Sequence, residues 1–242
     1  MSDIETLRVA VIGLVAFAGA EEELLLARGT DSGPDEGSPE RWAARPLLAH
    51  NAEFRRQQVQ RLEAVRRGET PPAFPDIDHG AKEVYDRCCQ ESRDVAAASR
   101  AATLALIDGV RRAADEDLVD PSRNPWLDGK QLWLQVVVRG FWHPTGHLGE
   151  YYLINGEPDL AVALQARAVA TATFLSAPDA ARGMAFYNLA CAQGRAGTSS
   201  AALEALRQAI SFNSQLGPKA LGDPDFESLR QDGSLEALVR PA

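Results

Sequence analysis

Apolar residues recur at helical spacing along almost the whole chain, and no stretch alternates apolar and polar positions as a half-buried strand would. Leu7, Val11, Leu14, Val15, Ala18 and Leu25 predict a first helix from about Ile4 to Arg28, stopped by Gly29. The segment TDSGPDEGSPE is polar, acidic and rich in Gly, Ser and Pro, so it is expected to be a loop. A second helix is expected from Trp42 to Arg67, with Leu47, Leu48, Phe54, Val59 and Leu62 on its apolar side and Pro46 tolerated in the first turn. After the loop ETPPAFPDIDHG a third helix runs from about Ala81 to Ala114, with Asp78 as its N-cap. The DPSRNPWLDG stretch breaks the chain, and a fourth helix from about Gln131 to Ile154 is expected to be interrupted or kinked at Pro144. Beyond Gly156 the pattern predicts short helices near 158–175, 179–194 and 199–212 and two C-terminal turns. The fold class is therefore all-α, and four long helices with substantial connections fit a four-helix bundle.

Composition narrows the function. A net charge of -9 and a pI near 5.0 exclude duplex nucleic acid, whose affinity comes from Lys and Arg neutralising phosphates, and offer an anionic membrane no polybasic patch. Three cysteines, two of them adjacent at Cys88 and Cys89, make no disulfide framework and suit a reducing cytosol. The first apolar stretch is preceded by Asp3 and Glu5 and followed by Glu21 to Glu23, which fits neither a signal peptide nor a membrane span, so a cytoplasmic protein is expected. Only Lys82, Lys130 and Lys219 are lysine, leaving 25 − 3 = 22 arginines, a bias that hints at a GC-rich, actinobacterial genome.

The four histidines carry most of the chemistry. His143 and His147 stand four apart in FWHPTGHLGEYY, which places two imidazoles on one helix face about 6 Å apart along the axis, where one ion can take a nitrogen from each. Pro144 and Gly146 between them lower helical propensity, and a local kink there would adjust how the rings are aimed. His50, in the apolar run RPLLAHNAEF, is the natural third ligand from another helix. Three neutral histidines leave a coordination position open for water or substrate, as in catalytic sites. The plainer alternative is a buried imidazole satisfied by a hydrogen bond, with a spacing of four arising by chance. His79, in the DIDHG turn, is read as surface or helix-cap chemistry.

WAARPLLAHNAEFRRQQVQRL resembles the second helix of DinB-like proteins, in which a tryptophan precedes an alanine-histidine pair, and WHPTGHLGEYY resembles the paired histidines of their fourth helix. The likeness covers roughly residues 1–155 and implies a four-helix bundle holding a divalent ion, zinc or nickel, through His50, His143 and His147. The family name records damage induction and implies no polymerase. Residues 156–242 are expected to form a tetratricopeptide-like extension. Phe186, Leu189, Gly197, Ala202, Leu206 and Ala209 fall in that register, while Ala190, Gln193 and Ser214 depart from it. A fainter register fits Leu148, Gly149, Tyr152, Gly156, Ala161 and Ala168, and the ending is expected to pack Phe226, Leu229, Leu235 and Leu238 back on the last helix. With fewer than three full repeats, a stabilising cap is favoured over a protein-binding groove.

The resemblance also brings in thiol transferases and isomerases that use mycothiol or bacillithiol, and the arginine-dominated composition favours a mycothiol-type cofactor. A metal ion deprotonates a coordinating thiol, and the thiolate is the nucleophile. Glu150, three residues beyond His147, is a candidate orienter or base, and Arg139, four before His143, a candidate for meeting a carboxylate; both are equally readable as solvated helix charges. The expected partner is a small electrophilic substrate, with a homodimer compatible. Two alternatives stay open: a hydrolase or self-resistance protein acting on a reactive natural product, and a non-catalytic, metal-stabilised helical interaction protein.

Overall fold

A computed structural model describes residues 3–28, 43–74 and 94–240. The regions expected to hold the Asp78 cap, His79, Trp42 and the Cys88–Cys89 pair lie outside the described residues. Every regular element among those described is helical. The chain divides into two compact units, Met1–Pro144 and Thr145–Ala242, each taken by itself below.

Unit 1 is built from α1 (Asp3–Ala27), α2 (Ala44–Arg66), α3 (Val95–Arg112), the short α4 (Asp115–Val119) and α5 (Leu132–Val137). A π-helical segment, Val138–Trp142, continues α5 into α6 (His143–Ile154). The apolar stripe of α1 is buried as the periodicity requires: Val11, Leu14, Val15, Ala18 and Leu25 are wholly inaccessible. α3 packs on both α1 and α2, and the π segment also touches both. Asp94 caps α3 by accepting the Ala97 N–H at 3.0 Å. Gly68, at φ +70°, ends α2.

The interior face of α2 differs from the apolar side expected for it. Leu47, Leu48, Phe54 and Leu62 are buried, but Val59 is only half-buried, while Asn51, Arg55, Gln57 and Gln58 lie inside. Hydrophobic periodicity cannot reveal such a stripe, because polar residues look the same in a sequence whether they meet solvent or one another.

The irregularity expected at Pro144 falls just before it. Proline lacks an N–H and its ring would strike the carbonyl of Gly140, four residues earlier, in α geometry. The backbone answers with the wider π turn, in which the His143 N–H donates to the Val138 carbonyl. Gly140 is needed in that turn for another reason. A Cβ there would come within 2.7 Å of a Val15 methyl and 2.9 Å of a Leu106 methyl.

Unit 2 takes the remainder of α6 and continues through α7 (Pro158–Phe174), α8 (Asp179–Arg195), α9 (Ser199–Phe212), α10 (Leu216–Leu221), α11 (Glu227–Gln231) and α12 (Ser234–Val239). Its helices pack on their chain neighbours, α8 against both α7 and α9. Small residues line these contacts, with Ala168, Ala181, Ala190, Ala202 and Ala209 fully buried. Close approach is extreme at Gly194, where a Cβ would lie 2.5 Å from the Asp225 carbonyl oxygen. Phe226, Leu229 and Leu235 are fully buried in this core, and Leu238 packs against it, as expected for the ending. No helix among the described residues is long and apolar enough to cross a membrane.

Candidate metal centre

His50 sits in the second turn of α2 with 1% of its surface exposed. His143 follows the π segment at the first position of α6. Their Nε2 atoms approach to 2.9 Å, and the Phe54 ring lies against both imidazoles, 4.6 Å from that of His50 and 4.8 Å from that of His143 between centroids. His147 stands one turn further along α6, so its placement relative to His143 follows from the continuity of a single helix. Ligand nitrogens of all three residues lie within 4.8 Å of one another.

This donor set suits a divalent ion. Two Nε2 atoms face each other at a separation that a shared ion accommodates, since zinc-nitrogen bonds of about 2.0–2.1 Å put two ligands roughly 3 Å or more apart. Imidazole nitrogens are common metal ligands. The three histidines, two singled out by spacing and His50 by its place in an apolar run, could therefore hold a metal ion.

The two residues expected beside them are placed differently. Glu150 is half-exposed, with Oε2 3.7 Å from His147 Nδ1 and Oε1 3.7 Å from Arg195 Nη1. The neighbouring His147 and Arg195 side chains hold the Glu150 carboxyl below the usual carboxylate range against the opposing effect of burial. A carboxylate on the Nδ1 edge favours the tautomer with its proton there, which turns the Nε2 lone pair toward a metal. Arg139 lies in the π segment, 9% exposed, with its guanidinium 4.9 Å from the Phe54 ring centre and Nη1 3.4 Å from Gln57 Oε1. It thus rests on the ring that contacts both His50 and His143.

Sequence reasoning missed the Phe54 contact with the two rings, the π turn that delivers His143, and Glu22. That buried carboxylate accepts from Asn51 Nδ2 at 2.9 Å, from Arg55 Nη1 at 2.7 Å and from Ser99 Oγ. Nothing local in the sequence distinguishes Glu22 from Glu21 and Glu23.

Unit 2 holds a second convergence of ligand atoms, Cys191, Asp223 and Asp225, within 4.8 Å of one another. Its members are engaged among themselves and with neighbours. The Tyr187 hydroxyl donates to Asp223 Oδ2 at 2.7 Å, the Asp225 N–H donates to Asp223 Oδ1 at 3.1 Å, and Arg195 Nε lies 3.8 Å from Asp225 Oδ1. Burial first, and then the neighbouring carboxylates, push the Cys191 thiol and the Asp225 carboxyl upward. The arrangement ties the Asp223–Phe226 turn to α8.

Comparison with protein-family models, curated proteins and solved structures returns no match.

Proposed function

We propose that this protein is a metal-dependent enzyme of the DinB-like kind that transfers a low-molecular-weight thiol of the mycothiol type to a small electrophile, or isomerises such a substrate with the thiol's help. The observation that carries the reading is the convergence of His50, His143 and His147 ring nitrogens within 4.8 Å. Zinc or nickel held there would lower the pKa of a thiol it contacts and so supply a nucleophile at neutral pH.

The chain's own residues divide the remaining work. Glu150, with Oε2 3.7 Å from His147 Nδ1, is placed to orient that imidazole. Arg139 brings a fixed positive charge against Phe54, and such a charge favours an anionic electrophile or thiol cofactor. Phe54 packs its ring against both imidazoles and excludes water from that side. For unit 2 the tetratricopeptide-like reading rests on the small residues at Ala202 and Ala209 and on the buried ending.

Elemental analysis of purified wild type, His50→Ala and His143→Ala, paired with a conjugation assay using mycothiol and a reactive electrophile, tests the proposal. The expected result is bound zinc or nickel in wild type alone and conjugation that a chelator stops. Consumption of the electrophile without thiol would move the assignment to a hydrolase. Equally little metal in all three proteins would remove its basis.

A further inference from the structure

Glu22 of α1 draws three donors to one carboxylate: Asn51 and Arg55 from α2, and Ser99 from α3. The Glu22–Arg55 pair is inaccessible to solvent, at 1% and 0% exposure. Stability alone does not account for this network. Asn51 Oδ1, Arg55 Nε and Nη2, and both amide atoms of Gln58, on the same stripe of α2, are buried without a hydrogen-bond partner among the described residues. Each such group left unmet costs about 1–3 kcal/mol, and apolar side chains of similar volume in place of a buried ion pair are often neutral or stabilising.

What the network supplies is a directional constraint on α2. At 100° per residue, Asn51 and Arg55 lie about 100° and 140° around the helix from His50, so they bind the helix to Glu22 of α1, which Ser99 of α3 also meets, while His50 faces His143. With a side chain about 6 Å from the helix axis, a 10° rotation moves its tip by about 1 Å, whereas metal-ligand distances are held to about 0.2 Å. Apolar packing tolerates such a rotation better than hydrogen bonds, which weaken steeply when misaligned. We infer that Glu22 is a positioning residue: through Asn51 and Arg55 it sets the rotation of α2 and thereby aims His50 Nε2 at His143 Nε2. The inference rests on the metal-binding reading above.

Cobalt(II) titration of the full chain tests it, followed by visible absorption and read beside far-UV circular dichroism and thermal unfolding. The variants are Glu22→Gln, and a triple change, Glu22→Met with Asn51→Leu and Arg55→Met, which makes the stripe apolar. Folded Glu22→Gln should bind cobalt at least about tenfold more weakly, with altered ligand-field bands. The triple variant should match or exceed the wild-type Tm while losing cobalt affinity to a similar degree, a separation that a purely structural role would not produce. Wild-type affinity and an unchanged spectrum in either folded variant would overturn the inference, as would failure of both variants to fold. If wild type itself binds no cobalt, the metal-binding reading fails first and the inference falls with it.

Discussion

Of the fourteen buried polar or charged residues among those described, twelve belong to unit 1 and two, Thr145 and Gln165, to unit 2. The two units solve the same packing problem with opposite materials. Unit 2 stacks each helix on its chain neighbour through alanines, and of its two buried polar residues Gln165 donates from Nε2 to the Thr145 backbone carbonyl at 2.7 Å. Unit 1 places a carboxylate, a guanidinium, an imidazole and amides inside, joined by contacts between residues 29, 33, 77 and 93 positions apart. Burying such groups is unfavourable unless they are paired, so a core that keeps them is organised around something other than maximal stability. In unit 1 these groups lie beside His50 and His143, two of the three residues that could hold a metal ion.

The contrast breaks most visibly at the histidines. Replacing His143 by Ala should weaken metal affinity by more than the ~10–100-fold that loss of a supporting hydrogen bond costs, read by metal titration beside elemental analysis. Next in size is Phe226→Ala, which empties the centre of the unit 2 core and should destabilise that unit by about 3–5 kcal/mol in denaturant unfolding. Gly140→Ala forces a methyl against Val15 and Leu106 and should lower the stability of unit 1 by about 1–3 kcal/mol, visible as a reduced Tm.

The smallest effect sharpens the comparison through pH. The Asp225 carboxyl is raised by burial and by the charge of Asp223. A carboxyl whose folded pKa exceeds its unfolded value of about 3.9 stabilises the fold below that value, and the contribution is lost as pH rises through the folded pKa. Unit 2 should therefore weaken as pH climbs from about 4 toward neutrality, and Asp225→Asn should flatten the slope of denaturant midpoint against pH. The same substitution should hasten alkylation of Cys191 at neutral pH, followed by mass spectrometry of its peptide, because one charge that opposes the thiolate is gone.

Much of the helical framework was legible in advance. The first helix, expected over Ile4 to Arg28, spans Asp3–Ala27, and the segments near 158–175, 179–194 and 199–212 correspond to Pro158–Phe174, Asp179–Arg195 and Ser199–Phe212. Gly68 and Gly156 end helices at positive φ, as glycine readily does. The pairing of His143 with His147 was also legible, since four residues return to the same face of any helix. Phase was less so. Pro144 announces a disturbance, but that the backbone would absorb it as a π turn over Val138–Trp142 depends on Gly140 fitting between Val15 and Leu106.

From residue order alone came the features that local physics governs: where helices start and stop, which faces of α1 are apolar, and which two imidazoles share a side of α6. Folding in three dimensions was needed for everything that depends on residues meeting across the chain. Asn51 and Arg55 of α2 meet Glu22 of α1, which also accepts from Ser99 of α3, and His50 meets His143 from a different helix. The physical reason is that helical periodicity is set within a few residues, whereas the burial of a charge depends on a counter-charge whose distance along the chain carries no local signal.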